Sequence, residues 1–251
     1  MDIASAVAER LALSPELRKV LKQGVLQPDR EGDKVLRLDR NALPYRKRVR
    51  HHRARKRFIR GLLWKARLAH LEGREEDAVW CLGRALHYVQ DGSVAVGPFH
   101  IFHDGREAEL GRRKVMPQAM RLGEECALPS PLFVDLCLRS LAPKRSAKAS
   151  MYQACLLSSA LSCAVLSPPA SSLRLAIDTR KAAGRHRAVF IPLAVIAGLS
   201  SALLLLQLDT PLLVPISALL AYLILRSDRT YYHLRCESRW FVPTQPQGRT
   251  V

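Results

Sequence analysis

His87 and Asp91 stand four residues apart, and the same interval separates His103 from Glu107. On an α-helix each such pair projects from one face, close enough to grip a single ion. His100 lies three residues before His103, so one helix would carry His100, His103 and Glu107 on a common face. Three ligands from one helix facing two from another describe a polynuclear site built of imidazole and carboxylate, with no cysteine. Such donors suit zinc, and manganese or iron also accept them. Two ions held this way acidify a bound water, hold a phosphate oxygen and neutralise charge on the leaving oxygen, which is the chemistry of phosphoester hydrolysis. An isolated His/carboxylate pair is commonly just an exposed ion pair or a core histidine, so the flanking sequence carries the argument.

The apolar residues of Ala78-Val79-Trp80-Cys81-Leu82-Gly83-Arg84-Ala85-Leu86 recur at helical spacing and predict a buried amphipathic helix that holds His87. After Asp91, the Gly92-Ser93 and Gly97-Pro98 steps predict a loop, with Pro98 opening the next helix. Upstream, Gly24-Val25-Leu26-Gln27-Pro28-Asp29 ends a short amphipathic segment with a carboxylate just after a proline, and His51-His52 is expected to begin a long helical run. Ser14-Pro15-Glu16 has the form of an N-cap followed by proline in the first turn, and Gly73 separates a helix over 57–71 from one starting near Glu75. Helix signals dominate, so the expected fold is all-α.

Pro28-Asp29, His51-His52, the run Leu82-Gly83-Arg84-Ala85-Leu86-His87-Tyr88-Val89-Gln90-Asp91 and His103-Asp104-Gly105-Arg106-Glu107 together resemble the zinc-dependent phospholipase C family, related to the fungal single-strand nucleases. The resemblance extends through Ala142-Pro143-Lys144-Arg145 and the apolar helix after it, covering residues 1–170. It implies a helical-bundle metallohydrolase domain with one metal on Asp29, His51 or His52, His87 and Asp91, and a second on His100, His103 and Glu107. It also implies that Asp29 both binds metal and accepts the proton of the attacking water. Family members with a third ion use a mature N-terminal tryptophan and a nearby histidine; this chain starts Met1-Asp2-Ile3 and has no histidine before His51, so two zinc ions are expected. The short interval between His100 and His103 departs from the family pattern, and His100 can instead cap or pack its helix.

The chain has 251 residues, 48% of them hydrophobic, and a formal net charge of +18. Ala188 to Leu208 contains no charge and is long enough for a bilayer core of about 30 Å. Pro211 to Leu225 is also uncharged but shorter, and Gln207-Leu208-Asp209-Thr210 forms the polar turn between them. A two-span hairpin over 188–226 is predicted, with a basic linker at 171–187 and a cytoplasmic tail at 227–251. Arg174, Arg180, Lys181, Arg185 and Arg187 precede the first span, and Arg226, Arg229, Arg235 and Arg239 follow the second, so both flanks are expected on the cytoplasmic side. No cleavable leader is expected, because Glu9, Arg10, Glu16 and Arg18 interrupt the first residues. Met151 to Leu166 is shorter, carries Ser158, Ser159 and Ser162, and is read as a core helix.

Arg46, Lys47, Arg48, Arg50, Arg53, Arg55, Lys56 and Arg57 crowd around His51-His52 and would raise the encounter rate of any phosphate substrate, whether lipid or polynucleotide. Aromatics make up only 6% of the chain, too few for a single-strand stacking platform. Six scattered cysteines without a Cys-x-x-Cys pair exclude zinc-finger and thioredoxin-like readings. The expected function is therefore membrane-anchored hydrolysis of phospholipid headgroups. A nuclease or nucleotidase, and a non-enzymatic membrane scaffold or sensor that keeps the fold, are the alternatives.

Overall fold

The computed structural model describes residues 2–38, 44–49, 54–95, 113–168, 173–208 and 213–241. The chain divides into two units, Met1–Pro168 and Pro169–Val251. The first holds helices α1 (Ile3–Arg10), α2 (Pro15–Arg30), α3 (Lys56–Leu71), α4 (Glu75–Gly92), α5 (Pro117–Glu125), α6 (Pro131–Ser140) and α7 (Ala147–Leu166), plus strands β1 (Lys34–Leu38) and β2 (Pro44–Arg48).

Local chemistry sets the helix ends. Ser14 caps α2, its Oγ accepting the Leu17 amide at 3.3 Å, with Pro15 in the first turn. Gly73, at φ +73°, makes the left-handed turn that ends α3 and lets α4 begin two residues later. Glu75, Glu76 and Asp77 then place negative charge on the first turn of α4. The strands pair antiparallel from Lys34 opposite Arg48 to Leu38 opposite Pro44, a two-stranded ribbon added to the expected all-helical architecture.

Helix α7 is the hub, packing on α1, α3, α4, α5 and α6. Its length and composition suit a membrane span, but 72% of it is buried inside the unit, the core role expected of Met151–Leu166. Buried Ser162 is satisfied within the helix, its hydroxyl donating to the Ser158 carbonyl at 2.6 Å. Fully buried Arg67 reaches from α3 to the end of α7, donating to the carbonyls of Val165 (3.0 Å) and Ser167. Burial pushes this guanidinium down to about 10, since the interior disfavours the charge.

The second unit contains α8 (Leu173–Arg185), a π-helical turn at His186–Phe190, α9 (Ile191–Leu208), α10 (Leu213–Ser227) and α11 (Arg229–Phe241). Two elements expected to be linker and tail are thus helices, and α8 packs on α11 while α9 packs on α10. Among the described residues, two helical stretches are long and apolar enough to cross a membrane: core helix α7 and Arg174–Ser200, of which only 17% is buried. Leu193, Ile196 and Leu199 of α9 and Leu219, Tyr222 and Leu223 of α10 are exposed, an apolar surface that water penalises and lipid does not. At the base, Asp228 caps α11 through the Tyr231 amide (3.1 Å) and receives Arg185 (2.6 Å) and His186 (3.3 Å). Burial pushes this carboxyl up, but the Tyr231 amide, Arg185 and His186 outweigh it and hold it below the usual carboxylate range. The His186 ring lies between Phe190 and Tyr231, with ring centroids 5.7 and 4.2 Å away.

Candidate metal centre

The site begins at a backbone crossing. A Cβ placed on Gly83 would sit 2.5 Å from the Leu21 carbonyl oxygen and 3.0 Å from the Val25 nitrogen, and one placed on Gly24 would sit 2.6 Å from the Trp80 carbonyl oxygen. Helices α2 and α4 therefore touch main chain to main chain, which only glycine at both positions permits. Asp29 follows Gly24 by five residues and His87 follows Gly83 by four, so the same crossing delivers both side chains to one place. Pro28 lies inside α2, so Asp29 occupies the last helical turn, not a position beyond it.

His87 Nε2 stands 3.5 Å from Asp29 Oδ1 and 3.2 Å from Asp91 Oδ2. The imidazole and the Asp91 carboxyl are 8% and 12% exposed, whereas the Asp29 carboxyl is 56% exposed, so the cluster opens to solvent through Asp29. A single nitrogen flanked by two carboxylates serves in one of two ways. Protonated, it is an imidazolium clamped by both; deprotonated, it is a ligand beside two oxygen donors. The donor types fit the zinc chemistry drawn from the sequence, although the spacing is that of an ion-paired cluster. Among the described residues, no group of three or more His, Cys, Asp or Glu side chains is arranged to hold a metal ion. The other expected ligands, His51, His52, His100, His103 and Glu107, lie outside the described residues, and α3 starts at Lys56.

No protein-family model, curated protein or solved structure matches the chain.

Behind His87 is a support that the spacing of motifs did not reveal. Asp33, 7% exposed, accepts the Tyr88 hydroxyl at 2.7 Å and pairs with Arg84, gripping α4 on either side of the His87 turn. Burial, followed by the Asp33 hydrogen bond, pushes the Tyr88 phenol upward and keeps it a donor. Tyr88 also meets His87 and Phe58 edge to face, each at 5.3 Å between centroids. The Asp33 carbonyl accepts the Val49 amide at 2.6 Å, so one residue ties the chain just before His51 to the helix that bears His87. Arg84 and Tyr88 at i, i+4 were the available signal, but nothing in the sequence pairs them with Asp33.

On the far side, the end of α4 is stitched to the start of α7. The Lys144 amide donates to the Ser93 carbonyl (2.9 Å), and the Ala95 amide donates to the Lys144 carbonyl (3.1 Å). Gln153 Nε2 joins Ser93 Oγ (3.2 Å) to the Ala142 carbonyl (2.7 Å). The cysteines are free, and burial pushes the Cys137 thiol up to about 11, so a thiolate nucleophile has no support there.

Proposed function

We propose that the chain is a membrane-anchored, metal-dependent phosphoester hydrolase of the phospholipase C type that cleaves phospholipid headgroups on the cytoplasmic face. The supporting observation is the convergence of the Asp29 and Asp91 carboxylates, from two helices crossing at paired glycines, on the His87 Nε2. These three, with His51 or His52, would hold one ion, and His100, His103 and Glu107 would hold the second. Zinc, or manganese or iron, would supply Lewis acidity and a water ionised near neutral pH. Asp29, the open member, would accept that water's proton, while buried Asp91 would complete the ligand set beside the His87 nitrogen. The exposed apolar faces of α9 and α10, cationic at both flanks, are read as the two-span anchor that keeps the site at the lipid surface.

The ion-pair spacing at His87 favours a second reading, in which an imidazolium clamp merely locks α2 to α4 in a membrane scaffold. Purified full-length protein in detergent, supplied with zinc, separates the two. The hydrolase reading expects release of phosphorylated headgroup from mixed phospholipid micelles, lost in His87→Ala and in Asp91→Ala. Cleavage of single-stranded DNA or nucleotides, with lipid untouched, would move the substrate to polynucleotide. No turnover of any phosphoester would leave the scaffold.

A further inference from the structure

A cavity of about 590 Å³ lies along the first three turns of α7, bordered by the α6–α7 loop and by Met116 just before α5. Its volume suits a small amphiphile, within the usual range for ligand sites. Lys144 and Lys148 line it with Ser146, the N-cap of α7, while Met116, Leu156 and Leu157 give it an apolar wall. Among the described residues, no acidic side chain lines it. The lining is therefore divided, cationic around the N-terminal turn of α7 and apolar further along the same helix. A free anion would leave the apolar wall unused, and an uncharged lipid would leave the two lysines unused. Both halves are used only by a molecule with an anionic head and a hydrocarbon chain.

We infer that this cavity binds one anionic phospholipid, its phosphate between Lys144 and Lys148 and its chain against Met116, Leu156 and Leu157. The inference does not rest on hydrolysis, because none of the lining residues belongs to the His87 cluster. It does bear on it: Lys144 and Gln153 are hydrogen-bonded to Ser93, two residues beyond Asp91, so an occupied cavity stiffens the end of α4. The occupant is a lipid that docks the helical unit to the bilayer.

Native mass spectrometry of the full chain in non-ionic detergent tests this with short-chain phosphatidic acid, the matching diacylglycerol and inorganic phosphate as separate probes. One equivalent of phosphatidic acid is expected, loosened roughly tenfold or more by Lys144→Glu/Lys148→Glu, since reversing two charges next to a phosphate turns attraction into repulsion. Leu156→Asp should weaken it too, whereas the exposed pair Lys19→Glu/Lys22→Glu on α2, which does not line the cavity, should not. Equal loss in Lys19→Glu/Lys22→Glu would reduce the effect to net charge and overturn the proposal. So would diacylglycerol binding as well as phosphatidic acid, or inorganic phosphate binding as tightly as the lipid. Lipid binding with these responses, together with no hydrolysis by the wild type, would sink the enzyme reading and leave this one standing.

Discussion

Substituting Gly83→Ala tests the contact on which the site is built. The added methyl meets the Leu21 carbonyl oxygen at 2.5 Å and the Val25 nitrogen at 3.0 Å, both backbone atoms with no rotamer to give way. Restoring an ordinary separation requires α2 and α4 to part by roughly 1 Å. Overpacking of this kind costs about 1–3 kcal/mol, and a rigid backbone neighbour puts Gly83 near the upper end. Alanine returns about 1 kcal/mol of helix propensity, leaving a net loss of about 1–2 kcal/mol. Gly61 on α3 provides the control, because a Cβ there meets nothing within 4 Å. Gly61→Ala should therefore gain about 0.5–1 kcal/mol from the same propensity effect. For a unit of this size about 2–4 °C accompanies each kcal/mol. Melting followed by the fluorescence of Trp64 and Trp80 should move down for Gly83→Ala and up for Gly61→Ala. If Gly83→Ala melts at or above Gly61→Ala, the helices do not cross as closely as argued, and the alignment of Asp29 with His87 loses its cause.

Tyr88→Phe removes the hydroxyl bonded to buried Asp33 and should cost about 1.5–3 kcal/mol in a denaturant titration, as expected for a hydrogen bond to a charged acceptor. An unchanged midpoint would mean that Asp33 does not grip α4. The Asp228 carboxyl is held below its ordinary value in the folded protein, so its contribution to stability is fully present above about pH 4 and fades as pH falls through the lowered value. Wild type should therefore melt above Asp228→Asn at neutral pH, the gap closing in acid; a gap constant with pH would contradict the charged cap.

Helices α2, α3 and α4 were legible because their punctuation is local, and α7 from its apolar run, whereas α1, α5 and α6 were not. Ser14-Pro15 starts α2, Gly73 divides α3 from α4, and Gly92-Ser93 ends α4. The meeting of Asp29 with His87 and Asp91 was legible through a resemblance, since periodicity alone puts His87 and Asp91 on one face but says nothing of α2. The β1–β2 ribbon was not legible: β2 reads Pro44-Tyr45-Arg46-Lys47-Arg48, whose cationic residues erase the alternation that marks a strand. Asp33 was missed because its partners lie more than fifty residues away, and a lone carboxylate after Gly32 looks like any turn residue. Helices α8 and α11 were read as linker and tail from their charge, yet they pack on each other, and Asp228 caps α11 between Arg185 and His186. Charge density concealed amphipathic helices there, because the apolar residues that pair them are few.

The central claim, that Asp29, His87 and Asp91 form part of a metal centre, is tested most directly by elemental analysis of the purified full chain after loosely bound ions are removed. About two equivalents of zinc, manganese or iron are expected in the wild type, with at least one lost in His87→Ala/Asp91→Ala while the far-ultraviolet dichroism stays helical. A well-folded wild type that carries no transition metal and takes none up would make His87 a structural clamp, and the hydrolase reading would fall with it.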